Sequence, residues 1–296
     1  MHCPLDGSFA IFCWNVHCLP FPLTRQDRID RVVAHVESHA LGAHRVKAMA
    51  LCEVWDRTAR KALASALEER GWRHTSAPRA GLLLAWDGAC LVQVNVRGRP
   101  APAAGPTTVA FRHCRLADCL ASKGVFAARL RPSTDPSESG SVSCCFWLAA
   151  THLQSGRWSS VRAAQLSHAL GVLSSISDRC PGSGVVLVGD FNMEPGDAER
   201  LLREDKGTDG TWSVCPDPAQ GRAGPTVEAP GVEGETLDFA IVRGEIATRI
   251  LDRGAHRVLV PRNGEGGGCP SDHYPVIITV ADARESPRTI GSPTFY

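Results

Sequence analysis

The amino-acid sequence predicts a single α/β domain. Short apolar segments rich in β-branched and aromatic residues alternate with amphipathic segments from one end of the chain to the other. Because the two kinds of segment interleave and do not separate into blocks, one α/β domain is favoured over two separate domains. With 43% hydrophobic and 21% charged residues, the 296-residue chain has ample material for a core. We expect the domain to span residues 8–282 and residues 283–296 to form a flexible tail.

The predicted strands are apolar runs with glycine, proline or charged residues at their edges. In chain order they are Phe9–Val16, Val46–Val54, Gly81–Trp86, Cys90–Val96, Gly124–Leu130, Ser143–Thr151, Val185–Gly189, Leu237–Val242 and Val276–Val280. The stretches between several of them are rich in Gly, Pro, Ser and charge and are predicted to be loops: 97–107, 132–141, 214–235 and 262–270.

The predicted helices are recognised by capping residues followed by apolar residues at helical spacing. Their predicted starts are the N-cap Thr24, the N-cap Asp56, Ser159 or Ser160, and Pro195 in the first turn of a short last helix. The second helix is expected to stop at Gly71 and the third near Arg179. We expect His35, His39 and His44, on or just after the first helix, to lie on its solvent side.

Composition limits the classes of function. The net charge is +1 and no basic stripe is visible, which disfavours a protein that grips a long polyanion by charge. The 12 cysteines include no CxxC pair with zinc spacing, and we expect free thiols. The first residues lack the layout of a signal peptide, and no apolar run has the length of a membrane span. The expected location is therefore cytoplasmic.

Polar residues cluster at the carboxyl ends of the predicted strands, or in the loops just after them, where α/β proteins usually build sites. The clusters are Trp14-Asn15-Val16, Cys52-Glu53-Val54-Trp55, Thr151-His152-Leu153-Gln154, Val188-Gly189-Asp190-Phe191-Asn192 and Ser271-Asp272-His273. A single polar residue at a strand end is usually a satisfied turn residue. A whole series with complementary chemistry favours a site.

Glu53, Asp190 and Asp272 offer the oxygen ligands that suit Mg²⁺, with Mn²⁺ as an alternative. Such a cation keeps waters that a phosphate substrate can replace. The sequence therefore predicts a divalent-metal site at these strand ends.

The remaining polar residues are suited to phosphate hydrolysis. His152 and the amides of Asn15 and Asn192 can donate to phosphate oxygens. His273 can accept a proton from water near neutral pH, and Asp238 is the candidate carboxylate that holds its ring. A metal, a histidine base and amide donors together predict hydrolysis of a phosphate ester by activated water.

The same residues, in the same order along the chain, resemble the endonuclease/exonuclease/phosphatase superfamily, the group of DNase I and exonuclease III. The resemblance covers the chain from about Phe9 to Val280 and implies a four-layer α/β sandwich, with two packed mixed β-sheets flanked by helices. It also implies the following roles: Glu53, Asn15 and Asp272 at the metal, His152 and Asn192 on the phosphate, Asp190 on the nucleophilic water, and His273 as acid and base with Asp238 behind it.

Further segments resemble the neutral sphingomyelinase branch. Ala117-Asp118-Cys119-Leu120-Ala121-Ser122-Lys123-Gly124 resembles a loop of that branch that the nucleases lack, and Ser271-Asp272-His273-Tyr274-Pro275-Val276 resembles its usual ending. The resemblance implies hydrolysis of a sphingomyelin-type phospholipid to ceramide and phosphocholine. Lys123 and Asp118 are then candidate substrate-binding residues, with Lys123 paired to the substrate phosphate or to Asp118.

Other functions remain open at this point. The principal alternative is an endonuclease or DNA-repair phosphodiesterase on the same scaffold, although nucleic acid is disfavoured as a partner by the charge. An inositol-phosphate phosphatase is disfavoured by Tyr274, where those enzymes usually carry Arg, and a non-catalytic binding module by the filled catalytic positions. A lipid substrate implies peripheral membrane contact, yet residues 260–270 lack the aromatic hairpin of the secreted sphingomyelinases.

Overall fold

A computed structural model describes most of the chain. The described residues are 9–20, 24–42, 45–95, 106–119, 121–133, 145–180, 182–204, 211–215, 225–227, 234–244, 246–247, 255–257 and 270–280. The predicted tail, and most of the predicted loop residues, lie outside these ranges.

The first sheet has six strands, in the order β12-β13-β1-β2-β4-β3. They are β1 (Phe9–Cys18), β2 (Val46–Val54), β3 (Trp72–Ala77), β4 (Leu82–Asp87), β12 (Ala255–Arg257) and β13 (Val276–Val280). Strands β1 and β2 are parallel at the centre of this sheet, so their carboxyl ends lie on the same edge.

The second sheet has seven strands, in the order β10-β11-β9-β8-β7-β5, with β6 also paired to β7. They are β5 (Leu91–Gln93), β6 (Thr107–Ala110), β7 (Gly124–Pro132), β8 (Phe146–His152), β9 (Gly184–Asp190), β10 (Trp212–Cys215) and β11 (Asp238–Arg243). Its central pair, β8 and β9, is also parallel.

Helices cover the outer face of each sheet. They are α1 (Gln26–Val36), which continues into a π-helical turn (Glu37–Leu41), α2 (Arg57–Glu69), α3 (Ser159–Asp178) and α4 (Pro195–Glu204). One apolar cluster lies between the two sheets, a second joins the first sheet to α1 and α2, and a third joins the second sheet to α3 and α4. The four-layer α/β sandwich that the resemblance implies is confirmed.

The strands that the sequence did not predict lie away from the sheet centres. β3, β10 and β12 are edge strands, and β6 adds to the margin of the second sheet by pairing with β7. An edge strand has one paired neighbour and keeps polar residues, so its apolar alternation is weak. In β6, for instance, half-buried and exposed residues alternate.

One of the two predicted N-caps is wrong. Asp56 caps α2, and its side chain accepts the backbone N–H of Ala59 at 2.8 Å. Thr24 does not cap α1, because its hydroxyl donates instead to the carbonyl of Leu19 at 2.7 Å and Arg25 occupies the N-cap position. The Leu19 carbonyl competes with the helix for the Thr24 hydroxyl, and no sequence pattern indicates this contact.

The predicted solvent-side position of His35 on α1 is wrong, because the residue is buried. Its ring lies 4.7 Å from the Trp14 ring and 4.2 Å from the His39 ring, measured between centroids. Burial, with the neighbouring His39, lowers the pKa of His35 from its ordinary value near 6.5 to about 4. The neutral imidazole is thus part of the packing beneath the first sheet.

The lowered pKa of His35 predicts an acid-sensitive contribution to stability. The unfolded chain takes up a proton on His35 near pH 6.5 and the folded chain only near pH 4, so stability present above pH 6.5 is lost as the pH falls towards 4. His35→Phe keeps a ring against Trp14 but cannot take up a proton. Between pH 7 and pH 4 we expect its free energy of unfolding to fall by about 3 kcal/mol less than that of the wild type. Urea unfolding at both pH values measures this. Equal losses in the two proteins would show that His35 titrates normally.

The prediction that the cysteines are free thiols is wrong for two of them. Cys114 and Cys119 form a disulfide across the short turn before β7, whereas Cys13, Cys18, Cys52 and Cys90 are reduced and buried. The spacing between the paired cysteines carries no recognisable signal, so the pairing could not be read from the sequence.

None of the helices in the described part of the chain has the length and apolarity that a membrane crossing requires.

Candidate active site

The two central parallel strand pairs bring the polar clusters together. Asn15 and Glu53 lie near the ends of β1 and β2, and His152 and Asp190 end β8 and β9. His152 and Asp190 are direct neighbours in the sheet register. Because the sheets pack face to face with these ends at one edge, residues distant in sequence form one cluster.

The backbone is strained where the chain enters this cluster. Among the described residues, the non-glycine residues with positive φ are His17 (49°), Glu53 (58°), Ser122 (45°) and Asn192 (50°). Gly189 has a φ of 147°, and a Cβ there would lie 1.9 Å from the carbonyl oxygen of Thr151. Backbone strain that the surrounding structure holds in place is typical of functional sites.

A single carboxylate oxygen, Oδ2 of Asp190, is the centre of the cluster. It accepts a hydrogen bond from Nδ2 of Asn15 at 2.9 Å, and the same amide nitrogen donates to Oε1 of Glu53 at 3.1 Å. Oδ2 also lies 3.5 Å from Nε2 of His152 and 3.6 Å from Nε2 of His273. Burial, followed by the nearby Asp238 carboxylate, raises the pKa of Asp190 to about 7.

His273 is held by Asp238. Its Nδ1 lies 2.6 Å from Oδ2 of Asp238, which orients the ring so that Nε2 points to Asp190. Burial alone lowers the pKa of His273, but the carboxylates of Asp238 and Asp190 outweigh it and raise the pKa to about 10. A histidine with one nitrogen on a carboxylate and the other directed into a site is the arrangement used for proton transfer.

Residues that the sequence reasoning missed fix this pair in place. The Thr226 hydroxyl accepts the backbone N–H of Asp238 at 3.0 Å, and its carbonyl accepts the N–H of Tyr274 at 2.7 Å. The Trp14 indole donates to the His273 carbonyl at 2.9 Å. Thr226 lies within a predicted loop and Trp14 within a predicted core strand, so neither carried a signal of its role.

His152 and Lys123 form the opposite side of the cluster. The Lys123 ammonium lies 2.9 Å from Nε2 of His152, donates to the Leu153 carbonyl at 2.7 Å and meets Oδ2 of Asp118 at 2.9 Å. Burial, with Lys123 next in importance, lowers the pKa of His152 well below its usual range. The ring is therefore neutral, and its Nδ1 is buried with no hydrogen-bond partner among the described residues.

Asn192 faces the same carbonyl as Lys123. Its Nδ2 donates to the Leu153 carbonyl at 3.1 Å, and its backbone N–H donates to Oδ1 of Asp190 at 2.9 Å. The amide thus borders the Asp190 carboxylate and the Lys123 ammonium.

Asp272 pairs with His17. Oδ1 of Asp272 lies 2.9 Å from Nδ1 of His17, and the His17 backbone N–H donates to Oδ1 of Asn15 at 3.0 Å. Burial raises the pKa of Asp272, but the hydrogen bond with the His17 ring and the neighbouring His273 outweigh this effect and lower the pKa below its usual range. The strained φ of His17, which no sequence pattern indicated, turns its ring towards the site.

The donor set fits a hard divalent cation. Among the described residues, ligand atoms lie within 4.8 Å of one another in two groups, Glu53–His152–Asp190 and Asp190–Asp238–His273. Burial raises the pKa of Asp190, the Asp238 carboxylate adds to this effect, and a bound cation would favour the ionised carboxylate. Glu53 and Asp190 offer the carboxylate oxygens that Mg²⁺ prefers, while Asp272 lies outside both groups.

Comparison with known proteins gives a family match over most of the chain. A model of the endonuclease/exonuclease/phosphatase family matches residues 12–273. No curated protein sequence matches the chain.

Solved structures with the same fold include proteins with different printed functions. Sphingomyelinase C from Streptomyces griseocarneus superposes with a TM-score of 0.66 at 17% identity, covering 92% of this chain and 99% of that one. D. rerio TDP2 complexed with a single-strand DNA product gives 0.63 at 14% identity, covering 92% and 98%. The human nocturnin catalytic domain gives 0.62 at 17%, covering 92% and 93%. At these identities the likeness concerns the fold, and the three are similar to this chain to nearly the same degree.

Proposed function

The chain belongs to the endonuclease/exonuclease/phosphatase family, and we propose that it is a Mg²⁺-dependent phosphodiesterase that hydrolyses a sphingomyelin-type phospholipid to ceramide and phosphocholine. The observation that carries the proposal is the convergence on Oδ2 of Asp190, which lies between the Asn15–Glu53 pair and the Nε2 atoms of His152 and His273. Metal ligands, phosphate donors and a proton carrier all meet there.

Each residue has a role that its contacts support. Glu53 and Asp190, with Asn15 beside them, would hold the cation, which stabilises charge on phosphate oxygens and makes water more acidic. His152 and Asn192 contact the phosphate, and Asp190 orients the attacking water. His273, held by Asp238, moves a proton at Nε2, and its raised pKa favours donation to the departing alcohol. Asp272 positions His17 at the edge of the site.

Lys123 supports the lipid substrate. It belongs to the segment that resembles the sphingomyelinases, and its ammonium lies against His152, on the phosphate side of the cluster. Asp118 holds it there and, through Oδ2, also accepts the backbone N–H of Ser155 at 2.8 Å. A phosphate oxygen that takes the place of one of the three Lys123 partners would receive a charge-assisted hydrogen bond, so the Lys123–Asp118 pair is suited to bind the substrate headgroup. A lipid substrate requires peripheral contact with a membrane.

Replacing Lys123 with methionine is expected to lower kcat/KM for sphingomyelin by about 30-fold, because a charge-assisted hydrogen bond to phosphate is lost. Initial rates on mixed micelles measure the change, with Lys61→Met, at an exposed position of α2, as the matched control. Thermal unfolding of both variants checks that they fold. A folded Lys123→Met enzyme with wild-type kcat/KM would exclude Lys123 from the substrate site.

A second candidate is hydrolysis of a DNA phosphodiester. It is favoured by the D. rerio TDP2 structure, which carries a single-strand DNA product on the same fold. Its site would use the same metal, phosphate and proton-transfer residues, so the two candidates differ only in what lies beyond the scissile phosphate.

A substrate panel distinguishes them. Mg²⁺-dependent product release is measured from sphingomyelin, lysophospholipid, plasmid DNA and inositol phosphates under one set of conditions. We expect phosphocholine from sphingomyelin as the dominant product. Cleavage of DNA alone would overturn the lipid proposal and support the second candidate.

A further inference from the structure

Two exposed arginines lie against one tryptophan at the rim of the active site. The guanidinium carbon of Arg115 is 5.9 Å from the Trp158 ring centroid, and that of Arg157 is 5.4 Å from it. Both arginines are exposed and the tryptophan is half-buried. We call these three residues the arginine–tryptophan surface.

This surface is attached to the active site through the segments that carry its residues. The Gln154 side chain accepts the Arg115 backbone N–H at 2.8 Å and donates to the Arg115 carbonyl at 3.3 Å. Gln154 itself is buried, two residues beyond His152. The surface therefore lies on the same rim as the phosphate-facing side of the cluster.

The two guanidiniums are available for an anion. Some exposed arginines elsewhere meet carboxylates, among them Arg25, Arg70, Arg200 and Arg203. Neither Arg115 nor Arg157 has an ion-pair partner among the described residues, and the nearby Asp118 is taken by Lys123. A free guanidinium binds a phosphate with two parallel hydrogen bonds.

We propose that the arginine–tryptophan surface docks the enzyme on an anionic phospholipid membrane, a proposal that rests on the lipid substrate proposed above. Two guanidiniums match two lipid phosphates, and tryptophan is favoured at the membrane interface. A nucleic-acid strand fits less well, because a base stacking on Trp158 would displace the guanidiniums from the ring. A polyanion also needs a longer basic track than a chain of net charge +1 displays here.

The test measures binding to vesicles that contain no sphingomyelin, so it is independent of hydrolysis. Wild-type protein is expected to sediment with phosphatidylserine/phosphatidylcholine vesicles, and less so as salt is raised. R115S/R157S is expected to bind about 25-fold more weakly, from a loss of about fivefold for each arginine. The matched control is R200S/R203S, which removes two exposed arginines on α4 that are paired with carboxylates.

The outcomes separate this proposal from the lipid-substrate proposal. Wild-type binding that R115S/R157S loses and R200S/R203S keeps supports the docking surface. Absence of wild-type binding, or equal binding by all three proteins, overturns it. The docking proposal is also overturned if the arginines are needed to bind a single-stranded oligonucleotide and the protein does not bind vesicles. If vesicles bind but the substrate panel yields no phosphocholine, the lipid substrate fails while the docking surface stands.

Discussion

Replacing His273 with glutamine is expected to lower kcat/KM for phosphodiester hydrolysis by about 1,000-fold, the range of a lost general acid–base group. Nε2 of His273 lies 3.6 Å from Asp190, and Nδ1 is held by Asp238 at 2.6 Å, so the imidazole is placed to move a proton at the centre of the site. Glutamine retains polar atoms and similar volume but has no proton to exchange near neutral pH.

The measurement is the initial rate on one substrate over a range of pH. His74→Gln serves as the control, since His74 lies on the edge strand β3 and pairs with Glu68. Folding of both variants is compared by circular dichroism. A folded His273→Gln enzyme that keeps more than about a tenth of the wild-type rate would contradict the proton-transfer role, whatever the substrate.

Replacing Glu53 with glutamine is expected to raise the Mg²⁺ concentration for half-maximal activity by about 100-fold. Loss of an outer-shell partner of a metal already costs about 10- to 100-fold in affinity, and Glu53 offers its oxygen directly. Its Oε1 meets the same Asn15 amide as Asp190, so the two carboxylates face one space. Glutamine keeps the shape but removes the charge.

Activity is measured as a function of Mg²⁺ concentration, with Glu68→Gln as the control because Glu68 is exposed on α2. We expect the Glu53 variant to recover part of its activity at high Mg²⁺ and the control to follow the wild type. An unchanged Mg²⁺ dependence in the Glu53 variant would remove Glu53 from the metal site.

The sequence predicted the framework of this site because its signals are local. Asn15, Glu53, His152 and Asp190 each end an apolar run, and the chain reversal after each run needs polar residues. Parallel strands place such ends at one edge, so their proximity followed from the alternation of strands and helices. Helix α2 was equally local, with its cap and its apolar stripe in one stretch of sequence.

The remaining contacts depend on long-range packing that local patterns do not carry. Thr226 holds Asp238 from an irregular segment, and Lys123 meets His152 only because β7 pairs with β8. The positive φ of His17, which directs its ring to Asp272, is likewise set by the surrounding fold. Contacts of this kind arise from tertiary structure, which overrides what each residue prefers on its own.

Hydrolysis of sphingomyelin in detergent micelles, before and after removal of divalent cations, measures the proposed metal-dependent activity. We expect that the wild-type protein releases phosphocholine, that chelation abolishes the release, and that added Mg²⁺ restores it. Detergent micelles remove the need for membrane docking, so the result concerns the active site alone. Undiminished turnover in the presence of the chelator, or no phosphocholine at any Mg²⁺ concentration, would contradict the proposed Mg²⁺-dependent hydrolysis of sphingomyelin.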